Sequence, residues 1–428
     1  MRRTGGLRLL SAVAVMTAAA SATACGGSAA RSDDGHARRT AAGVRTSPSA
    51  TPTPTPDPVA ALVRRMSTAE KVGQLFIPTV QGTTAATGAA MIAKYHPGGV
   101  IYFPNNLRTA HQTATLSNGL QRAAQKDGGV PLLIGTDEEQ GIVSRLPYIT
   151  HFPTNKALAS TRDPDDDVRT AARVTGEELR AVGINQDFAP VADVNVNPRN
   201  PVIGVRSFGA DPKEVAHLVG VAIDAYRATG VVATAKHFPG HGDTATDSHT
   251  GLPVIKHSMA TWERLDAPPF KTAIAHHVDM IMTAHIVVPG LDDSGDPATM
   301  SKTVLTGLLR DKLGYDGVVV TDSLSMAGAR MKYGAPEAAV RAVRAGADML
   351  LMPPSLDGAY RAVLSAVRSG RIPQSRLDQA VTRILRMKQD RGILRSPYVD
   401  ASRASDIVGS AEHRAAARRV AAHVRAGR

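Results

Sequence analysis

Eight short apolar runs, rich in β-branched residues or bounded by glycine and proline, punctuate the middle of this chain. They fall near Leu75–Pro78, Gly99–Phe103, Leu132–Thr136, Asn185–Val191, Val231–Lys236, Asp279–Ala284, Gly317–Thr321 and Ala347–Met352. Between most of them lie stretches with helical character, such as Pro164–Val182, Lys213–Thr229, Lys302–Lys312 and Pro336–Ala345. Strands that alternate with helices pair in parallel, because each helix carries the chain back across the sheet by a right-handed crossover. Eight such units predict closure into a (β/α)8 barrel, an α/β fold; a doubly wound open sheet is the alternative. Barrel active sites gather at the C-terminal strand ends. Asp137, Asp193, Lys236-His237, His285, Asp322 and Met352-Pro353 fall there on strands three to eight.

The flanks read differently. Residues 1–24 combine Arg2, Arg3 and Arg8 with an apolar run from Leu9 to Ala20 and small residues to Ala24, a secretory signal too short to span a bilayer. Cys25, the only cysteine, follows directly; as a lipobox residue it would carry a lipid, and as a bland alternative it is a thiol beside a signal cleavage site. Residues 25–57, Gly/Ser/Ala-rich and then Pro/Thr-rich, favour extended polyproline II and cannot build a core, which suits a tether. The catalytic body is expected at 58–395 and a basic helix or tail at 396–428. The formal charge of +12 divides into +4 before residue 58, +3 after residue 395 and +5 for the body. With few aromatics and no basic-aromatic pattern, nucleic acid is not an expected partner.

Chemistry concentrates in KHFPGHGDTATDSHTGLP, residues 236–253. Pro239, Gly240 and Gly242 break regular structure, and a loop so dense in histidine and aspartate suits proton transfer. Asp247 and His249 are two apart, so the carboxylate can fix the imidazole tautomer and raise its pKa. A solvated loop and a metal site are the alternatives. The spacing of His237, His241, Asp243, Asp247 and His249 is no recognised zinc pattern, and neither metal nor cofactor is expected. Asp322, directly after a buried strand in GVVVTDSLSM, is either a helix N-cap or a carboxylate nucleophile. Lys236, His237 and Arg206 are natural donors to a sugar. Asp137 could grip hydroxyls, and Arg145 could bind ligand or pair with it.

Together, KVGQLF, HPGGVIYF, TDEEQG, DFAPVADVN, VIGVRSFG, KHFPGHGDT…DSH, VVVTDSLSM and AGADMLLMP resemble glycoside hydrolase family 3 in its β-N-acetylglucosaminidase branch, from about Ala60 to Leu394. The resemblance implies that Asp322 is the nucleophile and His249 the acid/base with Asp247 as its partner. It also implies that Asp137, Arg145, Arg206, Lys236 and His237 bind sugar. The family's Asp-Gln-Glu-Gly-Gly stands here as Asp137-Glu138-Glu139-Gln140-Gly141, a departure that touches loop shape near Asp137. The end of the chain resembles the helix that leads into a second domain in larger members, so a single catalytic domain is expected, with the tail as a surface helix or frayed basic end. The implied protein is a monomeric, membrane-tethered, exported hydrolase of N-acetylglucosamine-containing wall fragments. A phosphorylase on the same fold, a β-glucosidase and a silent wall-binding lipoprotein are the alternatives.

Overall fold

The computed structural model describes residues 57–248 and 250–426; the expected signal, Cys25, nearly all of the linker, and His249 lie outside the described residues. Eight strands follow the predicted runs: β1 Phe76–Ile77, β2 Gly99–Ile101, β3 Leu133–Thr136, β4 Gln186–Asp187, β5 Val232–Phe238, β6 Met280–Thr283, β7 Val318–Val320 and β8 Leu350–Leu351. All pairing is parallel. Strands β2 to β7 form one sheet in sequence order, and β1 pairs with β8 through Phe76–Leu350 and Ile77–Leu351. Single bridges, Thr79–Ile101 and Val320–Met349, span the two seams between that pair and the sheet. The β1–β8 pairing rules out the open doubly wound alternative, whose edge strands do not meet.

Every strand is buried along its length, as expected when side chains fill the barrel interior and helices cover its outside. The helices start where sequence chemistry tells them to. Asp163 accepts from Asp166 N–H at 3.2 Å, with Pro164 opening the helix Pro164–Ala181 and three further aspartates in its first turn. Asp211 caps Pro212–Ala228 in the same way. Acidic first turns meet the positive end of the helix dipole, and proline at the first position gives up no hydrogen bond. Thr303–Lys312, read from sequence as helix, takes π pitch.

The C-terminal helix Ala411–Ala426 packs on the body, burying His413, Ala416, Val420 and Val424. His413 lies between Glu178 Oε1, 2.8 Å from Nδ1, and Glu177 Oε2, 3.1 Å from Nε2. His423 Nδ1 lies 2.9 Å from Asp167. All three acids belong to Pro164–Ala181, so this helix is docked rather than frayed. No helix among the described residues is long and apolar enough to cross a membrane.

Candidate active site

The C-terminal ends of the strands open onto a cavity of about 370 Å³, within the roughly 300–1,000 Å³ usual for small-molecule sites. Asp137, Glu139, Arg145, Arg206, Lys236, His237, His241, Ser248 and Asp322 all line it. Six of the eight proposed catalytic and sugar-binding residues thus meet at one mouth, brought there from β3, β5, β7 and the loop after β4.

Lys236 shows how the group is organised. Its side chain is 2% exposed, and Nζ donates to Asp137 Oδ1 at 2.9 Å while lying 2.6 Å from Glu139 Oε1. Arg206 donates through Nε and Nη2 to both oxygens of Glu139, each at 2.7 Å, and through Nη1 to the Val202 carbonyl. Glu139 is therefore the hinge of the network, and two cations hold its carboxyl far below the ordinary range despite full burial. Burial would lower the Lys236 pKa, but Asp137 and Glu139 outweigh it and raise it. Both cations are charged and fixed before a ligand arrives, the preorganisation that a hydroxyl-binding site needs.

His237 is held from behind. Asp193 Oδ2 lies 2.7 Å from Nδ1, and Oδ1 accepts the backbone N–H groups of His237 at 3.2 Å and His241 at 2.7 Å. A carboxylate on one ring nitrogen fixes the tautomer and turns the other, 3.5 Å from Arg206 Nη2, toward the cavity. Arg145 lies 3.8 Å from Asp137 and 5.7 Å from the Phe103 ring centre. Its backbone N–H, with that of Leu146, donates to Glu138 Oε2 at 2.8 and 3.1 Å. Burial pushes the Glu138 carboxyl up to about 7 against those hydrogen bonds.

Asp322 directly follows β7, and its Oδ1 accepts from Ser323 N–H at 2.7 Å. Burial raises its pKa, but His237, His285, that N–H and Lys236 together hold it below the usual carboxylate value. An ionised carboxylate in a cation-lined cavity is a competent nucleophile. The N-cap role is not what it performs: the next helix, Ala327–Arg330, begins after Met326.

The long loop is tied down along its length. Trp262 Nε1 donates to the Pro239 carbonyl at 2.9 Å, and Asn200 Nδ2 to that of His241 at 2.9 Å. His241 Nδ1 lies 3.0 Å from Thr244 Oγ1 and Nε2 lies 3.1 Å from Ser248 Oγ, while burial lowers its pKa. His257 bridges Asp266, 2.6 Å from Nδ1, and Asp243, 3.1 Å from Nε2; the Asp266 hydrogen bond raises its pKa. Gly242 presses on Val194, whose carbonyl oxygen would lie 1.8 Å from an added Cβ. At the turn, the Asp247 carbonyl accepts from Thr250 and Gly251 N–H at 3.1 and 3.0 Å, and Gly328 N–H donates to the Ser248 carbonyl at 3.2 Å. His241 and Asp243, which made the loop look metal-binding in sequence, are occupied with loop contacts. Among the described residues no three His, Cys, Asp or Glu side chains are grouped to hold a metal.

Sequence reasoning did not assign Glu139, Asp193 or the His257–Asp266 pair. Three consecutive acids in TDEEQ straight after a buried strand were a signal for Glu139; nothing near His257 offers one.

A family model described as the glycosyl hydrolase family 3 N-terminal domain matches residues 67–387. Beta-hexosaminidase A of Pseudoalteromonas piscicida is 40% identical over 323 residues, covering 70% of this chain and 54% of its own length. The beta-N-acetylglucosaminidase/beta-glucosidase of Cellulomonas fimi is 36% identical over 362 residues, covering 82% and 63%. The chain thus spans somewhat over half of each. The structure of a family 3 beta-N-acetylglucosaminidase from Paenibacillus sp. str. FPU-7 superposes with a TM-score of 0.81 at 44% identity, covering 84% of this chain and 69% of that one.

Proposed function

The chain belongs to glycosyl hydrolase family 3, and on that footing we propose that it is a retaining exo-β-N-acetylglucosaminidase releasing terminal N-acetylglucosamine from peptidoglycan fragments or related glycans. The observation that carries this reading is Asp322, kept ionised at the end of β7 in a cavity whose other wall is the Asp137–Lys236–Glu139–Arg206 network. Asp322 attacks the anomeric carbon, forming a glycosyl ester as the bond to the leaving oxygen breaks. His249 gives that oxygen its proton, with Asp247 holding the imidazole. In the second step water attacks the same carbon, His249 takes its proton, and the Asp322 carboxylate is released. Lys236, Arg206, His237, Asp137 and Arg145 hold the sugar, and no cofactor enters either step.

Two relatives bearing N-acetylglucosaminidase or hexosaminidase names support the choice of sugar. Tethering through a lipid on Cys25 and action outside the cytoplasm belong to the same proposal. The test is turnover of an aryl β-N-acetylglucosaminide by Asp322→Ala, run beside aryl β-glucoside and with phosphate as a variable. Loss on the order of 10⁴-fold is expected. Near-parental turnover would remove Asp322 from the mechanism, and accumulation of sugar 1-phosphate would make the enzyme a phosphorylase.

A further inference from the structure

The opposite end of the barrel carries a second concentration of charge. Asp348 lies two residues before β8 and is fully buried. Its oxygens face three arginines: Arg310 Nη2 at 2.6 Å, Arg376 Nη2 at 2.7 Å and Arg383 Nη1 at 3.5 Å. The Val319 N–H adds a fourth donor at 3.0 Å. Arg310 spends further N–H groups on the carbonyls of Tyr315 and Gly317, and Arg376 on those of Val343 and Ala347. Carbonyls satisfy hydrogen bonds but carry no net charge, so one carboxylate is left to balance three guanidinium groups.

Arg383 is the least served. The 3.5 Å contact to Asp348 is the only hydrogen bond of its side chain among the described residues. Burial lowers its pKa, and repulsion from Arg310 and Arg376 works against the attraction of Asp348. All three arginines line a cavity of about 820 Å³, together with Arg344, Arg371 and Lys302. The acids on that lining are outnumbered: four aspartates, Asp292, Asp296, Asp311 and Asp316, share it with seven lysine and arginine side chains. Asp292 accepts from Ser294 N–H at 2.9 Å and from Ser301 Oγ, and Asp296 pairs with Lys332 at 2.6 Å. Asp311 and Asp316 are solvent-exposed. Arg371 is itself paired with Glu337 at 2.7 Å, and Arg341 with Glu337 at 3.2 Å and Asp296 at 3.8 Å, which leaves Arg383 and Arg344 as the guanidinium groups with most to gain.

We propose that this cavity is a binding site for a phosphate-class oxyanion, received by Arg383 and Arg344 at the end of the barrel remote from the active site. Guanidinium forks match phosphate oxygens in a planar, bidentate geometry that ammonium groups cannot reproduce. The half-buried setting strengthens the attraction relative to bulk water. The same chemistry is offered by free phosphate and by the phosphodiester headgroup of an anionic lipid, and the cavity is large enough for either.

The test uses the full chain with two probes, inorganic phosphate followed by calorimetry and phosphatidylglycerol-containing vesicles followed by co-flotation. Phosphatidylcholine vesicles and sodium chloride are the controls. Saturable binding of either probe, weakened about tenfold or more in Arg383→Gln and Arg344→Gln while aryl glycoside turnover is retained, is the expected result. Phosphate binding would identify the free ion as the ligand, and vesicle binding alone would identify the headgroup. Arg344 is exposed, so its variant remains informative if Arg383→Gln fails to fold. Probe binding no stronger than the controls would overturn the site. So would binding that both variants retain, or phosphate that N-acetylglucosamine displaces, since that ion would lie in the barrel mouth.

Discussion

Glu139 acts through Lys236 and Arg206 and has no free oxygen to offer a ligand. Its carboxylate takes three donors from two cations, and its side chain is 1% exposed. Replacing it by glutamine leaves Lys236 and Arg206 buried beside a neutral amide, and uncompensated buried charge is costly. Glu139→Gln is expected to lose about 3–5 kcal/mol of stability in denaturant unfolding and to raise KM for the aryl glycoside. Unchanged values of both would place the pairing elsewhere. Asp137, Lys236, His237 and Asp322 could be placed at the mouth from the sequence because each lies at or just past the end of a strand that its apolar run betrays, whereas Arg206 was read from its motif, VIGVRSFG. Glu139 was not assigned, since its role depends on Arg206, 67 residues away, turning back to meet it. Asp193 was placed at a strand end but not given its partner, because the backbone N–H of His241 reaches it only once the loop is folded.

Among the elements, the loop after β5 is the one whose order matters most to the chemistry. Gly242 sits against the Val194 backbone, where an added methyl would overlap its carbonyl, and Gly240 has φ 127°. Gly242→Ala should displace the segment carrying Ser248 and Asp247, lowering kcat at least tenfold while circular dichroism stays that of the parent. Parental kcat would mean the loop tolerates the shift. The C-terminal helix makes the opposite kind of contribution. Truncation after Gly409 removes His413 from between Glu177 and Glu178 and uncovers the apolar face that Ala416, Val420 and Val424 bury, so a clear fall in Tm is expected with the active-site cavity unaltered. An unchanged Tm would show the helix adds nothing to the body. Pro239, Gly240 and Gly242 announced the loop, and resemblance to a linking helix suggested the C-terminal element, as a surface helix or a frayed end. Apolar spacing announced a helix near Lys302–Lys312. It could not announce π pitch in Thr303–Lys312, because Val304, Leu305, Leu308 and Leu309 make one buried stripe at either pitch.

For the whole molecule, the closed order of strands and the pairing of β1 with β8 followed from counting eight apolar runs, since buried parallel strands are the most conspicuous pattern a sequence can hold. The underside of the barrel was not readable, because its arginines are scattered among amphipathic helices where each alone reads as solvated. Lys388 is one consequence. Fully buried, it donates to the Pro131 carbonyl at 2.7 Å and to Gln74 Oε1 at 3.2 Å, and burial brings its pKa down to about 7. In the unfolded chain a lysine titrates near roughly 10.4, so between those values the unfolded state binds more protons and stability rises with pH. Below about 7 the buried amine is charged in both states, and that penalty is fully felt. The unfolding free energy of the parent minus that of Lys388→Met, followed from pH 6 to 10 (roughly the window between the two values), should rise with pH, whatever constant offset the lost hydrogen bonds add. Parallel curves would mean Lys388 titrates normally. On the proposed mechanism the fold holds one carboxylate against an anomeric carbon, and a covalent intermediate would be its direct signature. Incubation with a fluorinated, slowly hydrolysed N-acetylglucosaminyl fluoride, followed by intact-mass and peptide-mapping spectrometry, is expected to give one sugar adduct per chain on the Asp322 carboxylate. No adduct, or an adduct on another residue, would contradict the assignment.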